Sequence, residues 1–351
     1  MLTADNITLS GHLEINKLIY LQPNKKLDLD KVLKKNDCFV CFSSGSKAHV
    51  GKITFIENDT PFYAGGFMGI IRAYSDRILP KFLYTVLNSA LYRQIIRNES
   101  SGNNIQNLSQ SIAQIKVPVP PIDIQKQIVE EVGKVDKATS IANSVINNKI
   151  SDIKTIINGL VSTVGIKEYF DINTKVLNPA SCWENEYFTY VDIDSVGKGD
   201  GNISFDKIIL GKDAPSRARR VAQDRTVIIS TVRPYLKGFA YIENVPNKTI
   251  FSTGFALLRS KNEENYISKL LYYLFMFSDD LMKQMETAMP KAAYPSINKD
   301  DIDNFRIPMP SINEQKHIIS QIEALELEIN NARTTIENAA SEKQAILDKY
   351  L

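Results

Sequence analysis

Ile115-Lys-Val-Pro-Val-Pro-Pro-Ile-Asp-Ile-Gln-Lys-Gln-Ile-Val129 returns 190 residues later as Phe305-Arg-Ile-Pro-Met-Pro-Ser-Ile-Asn-Glu-Gln-Lys-His-Ile-Ile319. Working outward, Gly66-Phe67 and Arg72 precede the first copy as Gly254-Phe255 and Arg259 precede the second, with one residue of slippage. Further upstream, Leu2-Thr-Ala-Asp-Asn-Ile7 lines up with Val191-Asp-Ile-Asp-Ser-Val196. Three matches in one order at nearly one offset indicate a duplicated body plan.

Each copy has the same grammar. A mixed region comes first, with β-rich runs such as Cys38 to Ser43 and Thr226 to Thr231 bounded by turn residues. A short helical stretch follows, Pro80 to Arg97 or Asn265 to Glu286. Then comes a Pro-bracketed strand, Lys116 to Pro121 or Arg306 to Pro310. Proline donates no ladder hydrogen bond, so Pro118 and Pro308 suit an edge strand or its exit. Pro121 and Pro310-Ser311 then set up a helix start.

The closing element of each copy is a long run with apolar residues at alternating spacings of three and four. Ile128, Val132 and Val135 lead to Ile146, Ile150, Ile153, Ile157 and Leu160; the second run is Ile318, Ile322, Leu325, Ile329, Ala332, Ile336, Ala339 and Ile346. So narrow a stripe belongs to a coiled coil. Each run extends for about 40 residues, a rod of roughly 60 Å at 1.5 Å per residue. Two such rods most simply pack against each other antiparallel. The fold class is therefore α+β, with modules at 1–121 and 164–311 and spacer helices at 122–163 and 312–351.

Composition sets the outer bounds. A chain of 351 residues with 43% hydrophobic and 23% charged content can bury two cores. Its net charge of +2 does not announce a polyanionic partner, so a nucleic-acid surface must concentrate cations locally. The longest apolar stretch, Leu270 to Phe277, is far shorter than a membrane span of roughly 20 residues. The first residues carry no signal-peptide pattern. Three cysteines, an odd set, argue against a disulfide framework and for the cytoplasm.

The Pro-x-Pro-Pro/Ser and Ile-x-x-Gln-Lys-x-Ile elements, running into a long helix, resemble the segment that closes each target-recognition domain in specificity subunits of type I restriction–modification enzymes. The second copy keeps the family's Glu-Gln pair as Glu314-Gln315; the first has Ile124 before Gln125. Ser101-Gly-Asn-Asn-Ile-Gln-Asn-Leu-Ser109 resembles the family's approach to the final strand, and Ser44-Gly-Ser-Lys-Ala-His-Val-Gly-Lys52 its Gly-Ser…Gly loop. The resemblance implies that each module reads one half of a split DNA target. It also implies that the helices act as a ruler and as docking sites for two methyltransferase subunits. Those partners carry S-adenosylmethionine and methylate adenine, and a restriction (motor-nuclease) subunit joins for cleavage; this chain needs no cofactor. One departure stands out: Ile166 to Tyr190 precede the part of the second module that aligns with Met1. The first module is thus expected to lack an opening strand and loop of about 25 residues.

Candidate DNA-binding residues follow from their chemistry. Between Asp206 and Lys248 there are nine Lys/Arg (Lys207, Lys212, Arg217, Arg219, Arg220, Arg225, Arg233, Lys237, Lys248) against four acids. Arg217, Arg219 and Arg220 follow Pro215 and suit phosphates or a bidentate grip on guanine; Lys212, Arg233, Tyr235 and Lys237 belong to the same stretch, and Lys291 and Tyr294 sit just before the closing strand. In the first module Ser44, Ser46, Lys47 and Lys52 accompany two glycines that allow close backbone approach to a phosphate. Asn103, Asn104 and Gln106 have the groups to pair with adenine N6 and N7, or simply to build a turn after Gly102.

Other chemistries find little support. Gly45 to Lys52 has five residues between its glycines, and Ile53 stands where a P-loop needs Ser or Thr. Cys38-x-x-Cys41 is half a zinc site without a second half, and His12, His49, His317 and Cys182 are scattered. Gly197-Lys-Gly-Asp-Gly201 reads as a hairpin turn. With no catalytic constellation or metal set, the chain reads as a non-catalytic recognition scaffold. Two alternatives stay open: the recognition part of a type IIB or IIG enzyme, and a coiled-coil scaffold that binds no DNA.

Overall fold

The structure, a computed structural model, describes residues 1–8, 11–22, 28–46, 49–73, 76–99, 106–108, 111–161, 163–289 and 295–351. It comprises two compact units, 1–144 with 331–351, and 145–330.

In the second unit, strand Thr226–Ser230 has every residue buried. Strict alternation explains why, because successive side chains leave opposite faces of a strand. Val227 and Ile229 enter a core with helix Ser268–Phe277, while Ile228 enters another with Val191, Phe251 and Phe255. The strand is flanked by Phe239–Ile242 on one side and Phe255–Ser260 on the other, and Phe170–Ile172 extends the sheet beyond Phe255–Ser260, all antiparallel. A second sheet has the order Ala218–Arg220, Thr249–Ser252, Tyr187–Val191, Ile208–Leu210, with the middle two strands parallel.

The first unit repeats this plan with fewer strands. Cys38–Cys41 lies between Ile53–Phe55 and Met68–Ile71, and its side chains again divide between two cores. Among the described residues the second sheet is represented by bridges alone, Leu2 with Ala64 in parallel and Val32 with Tyr63 antiparallel. The duplication extends to fine detail. The 3₁₀ turns Ala4–Asn6 and Ile193–Ser195 are closed alike, with the Thr3 amide donating to Asn6 Oδ1 and the Asp192 amide to Ser195 Oγ. Gly197 to Gly201 forms the expected reversal, spanned by a Val196–Ile203 bridge with Gly199 and Gly201 at positive φ.

Four expectations need correction. Each short helical stretch is two helices, Pro80–Leu87 and Ala90–Glu99 or Ser268–Phe277 and Asp279–Ala288. A serine makes the break: Ser89 Oγ accepts from the Tyr92 amide and Ser278 Oγ from the Leu281 amide. Residues 116–121 form no strand, whereas Arg306–Pro308 pairs with Thr163–Gly165; a strand needs a ladder partner. Cys41 opposes Met68 as Ser230 opposes Phe255, so Phe67 takes the place of Gly254, not of Phe255. Near the end of the last helix Leu347, rather than Ile346, is the fully buried residue, because a 3.6-residue period drifts against a heptad.

The long helices are Ile122–Asn158 and Ile312–Tyr350. Within the first unit Glu131 meets Lys349 and Tyr350, and Lys343 pairs with Asp136; within the second, Lys149 pairs with Glu328. In both places the partner number falls as the residue number rises, so the helices run antiparallel. Ile128, Val132 and Ala142 of one helix and Ala332, Ala339 and Leu347 of the other are buried in the first unit. In the second unit the buried set is Ile153, Ile157, Ile318, Ile322 and Ile329.

The glutamine of the repeated motif is the joint between helix and module. Gln125 is fully buried; its Oε1 accepts from the Leu79 amide at 2.8 Å and its Nε2 donates to the carbonyls of Arg77 (2.7 Å) and Pro120 (2.8 Å). Gln315 makes the same three bonds, from the Ile267 amide and to Asn265 and Pro310. Buried amide groups must be satisfied, and here one side chain ties the entry of a module helix to the first turn of a spacer helix.

Candidate nucleic-acid interface

In each unit the central strand turns into a hairpin loop, and in each that loop is gripped by the segment just upstream of the repeated proline motif. In the second unit the loop spans 231–238. Val232 bridges Ser296, the Arg233 amide donates to Pro295 O at 2.9 Å, and the Ile297 amide to Thr231 O at 2.9 Å. Thr231 donates through both its amide and Oγ1 to Gly254 O, and the neighbouring Thr253 amide donates to Arg217 O at 2.8 Å. Arg217, the 231–233 backbone and Pro295 therefore adjoin one another.

The first unit repeats the arrangement. Ser43 and Ser44 pair with Asn107 and Gln106, the Leu108 amide donates to Phe42 O, and the Phe42 and Ser43 amides donate to Phe67 O. The loop returns through Gly51 at φ 77°, where a Cβ would lie 2.4 Å from Ile96; only glycine suits both the backbone and the space. Ser44 is half-buried, with Oγ accepting from the Ser46 amide, and Ser46 is exposed.

The structure divides the expected cations by what holds them. Lys52 donates to the carbonyls of Ala4 (2.7 Å) and Ile7 (2.5 Å), bracing the loop on the 3₁₀ turn. Lys237 donates to Met276 O at 2.6 Å, near the C-terminal end of a helix, where a cation is favoured. Burial, aided by Lys154, pushes its ammonium below the ordinary lysine range despite Asp279. Lys207, Arg225 and Lys248 are paired with Asp192, Glu243 and Glu186. Arg219 is half-buried and donates to Ala218 O. Arg220 is half-buried too; its Nε is buried with no partner among the described residues, and burial lowers its pKa. Lys212, Arg217 and Tyr235 are exposed, and Arg233 sits in the left-handed region at φ 48°. Lys47, Asn103, Asn104, Lys291 and Tyr294, with the side chain of Gln106, lie outside the described residues.

One surface group was not visible in the sequence. Phe67 is 67% exposed and flanks a cavity of about 590 Å³ lined also by Thr3, Ala4, Ser43 and Gly45. Its alignment with the core residue Phe255 hid it. At the equivalent place in the second unit a Cβ on Gly254 would lie 2.8 Å from Ile193, whose counterpart is the smaller Ala4.

Among the described residues no three His, Cys, Asp or Glu are placed to hold a metal ion, and no helix is long and apolar enough to cross a membrane. Cys38 and Cys41 are buried in different cores, so the two thiols leave opposite faces of their strand.

Comparison with known proteins gives a consistent result. The family model for the type I restriction modification DNA specificity domain matches twice, over residues 17–152 and 160–338. The type I restriction enzyme StySPI specificity subunit of Salmonella potsdam is 23% identical, with 99% of this chain and 81% of that protein covered. The type I restriction–modification S subunit from M. genitalium is similar in fold, with a TM-score of 0.53 and 16% identity over 100% of this chain and 91% of that one. A chain from a structural study of complex assembly and conformational transition of the type I R-M system has a TM-score of 0.54 and 20% identity, covering 91% of this chain and 82% of its own.

Proposed function

Because the chain belongs to the type I restriction–modification DNA specificity family, a group of recognition subunits rather than catalysts, we propose that it reads a bipartite DNA target through its two modules. The observation that carries this reading is the recurrence, in two units of different sequence, of one hairpin loop gripped by one approach segment. A polar loop on a rigid sheet suits base edges in the major groove, with flanking cations on phosphates. In this reading Lys212, Arg217, Arg219, Arg220, Arg233 and Tyr235 contact DNA in the second module, joined by Lys291 and Tyr294. Ser44, Ser46, Lys47, Asn103, Asn104 and Gln106 do so in the first. Lys52 and Lys237 serve the interface by holding its loops.

The paired helices set the gap between half-sites and dock two methyltransferase subunits, and through them the restriction subunit. Each heptad of helix is about 10 Å long, close to 3 base pairs of B-DNA at about 3.4 Å each. The test is co-expression with a methyltransferase subunit and mapping of methylated adenines. A split motif is expected. Removing one heptad from each helix should shorten the gap by about 3 base pairs and leave both half-sites unchanged; an unaltered gap refutes the ruler. Duplex binding should weaken steeply with salt, whereas a scaffold that only joins proteins would bind no duplex.

A further inference from the structure

Apolar residues that are sealed in the second unit stand half open in the first. Leu257, Leu258, Phe305 and Ile307 are at most 5% exposed. Their counterparts Ile70, Ile71, Ile115 and Val117 are each only half-buried. In the second unit a single segment, 163–173, is hydrogen-bonded along the backbone of all four residues, and the side chains of Leu258, Phe305 and Ile307 share its core. Its strand Thr163–Gly165 pairs with Arg306–Pro308, setting Val164 opposite Ile307, and the Ile166 amide donates to Phe305 O at 2.9 Å. Its strand Phe170–Ile172 pairs with Phe255–Ser260, and Asn173 exchanges hydrogen bonds with Leu257, amide to carbonyl and Oδ1 from amide, both at 2.9 Å. Ile166, Phe170 and Ile172 are driven into the core.

The first unit presents the same two edges. The side of Met68–Ile71 facing away from Cys38–Cys41 has no strand beside it among the described residues. Lys116 O is bonded by Tyr92 Oη just as Arg306 O is by Gln284. The Ile115 amide donates to Ile112 O, as the Phe305 amide does to Ile302 O, so the groups left for an added strand are the Ile115 carbonyl and the Val117 amide and carbonyl. No hydrogen-bond partner for the Val117 backbone is present among the described residues. An unpaired edge beside uncovered apolar side chains is a template for strand addition.

We propose that the first unit binds an extended segment of a second polypeptide, entering as a strand–turn–strand along Ile115–Pro118 and Met68–Ile71. The segment would carry apolar residues at the positions of Val164, Ile166, Phe170 and Ile172. The occupant is defined by what fills the matching slot in the same molecule, and the inference does not depend on the DNA reading. Binding would bury Ile71, Ile115 and Val117 further and stabilise the first unit by RT ln(1 + c/Kd) at free peptide concentration c, a gain that continues to grow with concentration after the site is full.

The test uses the whole chain and a fluorescein-labelled peptide with the sequence of residues 163–175. Saturable binding at one site per chain is expected, with hydrogen-exchange protection gained at 68–71 and 115–118 and none at 255–260. A peptide carrying Ile166→Asp and Ile172→Asp should bind at least tenfold more weakly. Absence of saturable binding, protection confined to other residues, or equal binding of the Asp peptide would overturn the proposal. So would a dimer in which the 68–71 edges of two copies protect each other.

Discussion

The two units solve one folding problem with different means. In the second, the strand Thr226–Ser230 is hemmed by three more strands, and its Arg259 merely touches Asp224 O at 3.2 Å from an exposed position. In the first, the sheet has three strands among the described residues, and the equivalent Arg72 grips a fully buried Asp37 with two bonds of 2.6 and 2.7 Å. Asp37 also accepts from the Lys34 amide. The smaller sheet leans on a buried ion pair where the larger leans on apolar cover. Loss of one partner leaves a charge without solvent or counterion, which costs far more than the pair itself contributes.

That contrast can be broken most forcefully at Arg72. Arg72→Ala should destabilise the first unit by about 3–5 kcal/mol, while Arg259→Ala should cost the second unit less than about 1 kcal/mol. Each unit has its own reporter: the single tryptophan, Trp183, lies in the second unit, and the buried thiols Cys38 and Cys41 lie in the first. Thiol exposure should rise in the Arg72 variant with the tryptophan transition unmoved. Equal effects in both units would show that the contrast is not real.

The next effect should be the same in both units. Gln125→Leu and Gln315→Leu each strand a buried amide and two carbonyls, at about 2–4 kcal/mol apiece, read by the same two reporters. A large asymmetry would mean that the joint is not shared.

A smaller effect separates loop braces from the proposed DNA contacts. Arg217→Ala should weaken duplex binding a few-fold and lower the salt slope by about 1, with no change in melting temperature. Lys237→Met should lower the melting temperature of the second unit without a comparable change in slope. The smallest is chemical: burial, reinforced by Asp37, pushes the Cys38 thiol up to about 12. The native chain should therefore show one readily alkylated cysteine at pH 8, the exposed Cys182, and three once unfolded. Early labelling of Cys38 would mean that the three-strand sheet opens locally.

The repeat made much of this legible. The Ile-x-x-Gln-Lys motif marked both helix starts, the 3–4 spacing of Ile128 to Ile157 marked the seam, and Leu2 to Ile7 marked a turn found again at Val191 to Val196. Failures came where partners are distant in sequence. Residues 116–121 have strand composition, yet pairing depends on a neighbour that composition does not encode. Phe67 was set against Phe255 because both follow a glycine, and only the strand register shows the one-residue shift. Charge was the weakest guide. Nine cations looked like a patch, but Lys207, Arg225, Lys237 and Lys248 are occupied by acids or carbonyls that no local pattern reveals.

The joint at Gln125 and Gln315 touches main-chain atoms only. Arg77-Ile-Leu79 and Asn265-Tyr-Ile267 differ at all three side chains and are held identically. A socket of this kind is blind to what is plugged into it. The joint sets no condition on the side chains of the module it holds, so the two module surfaces differ while the bonds that seat them stay the same.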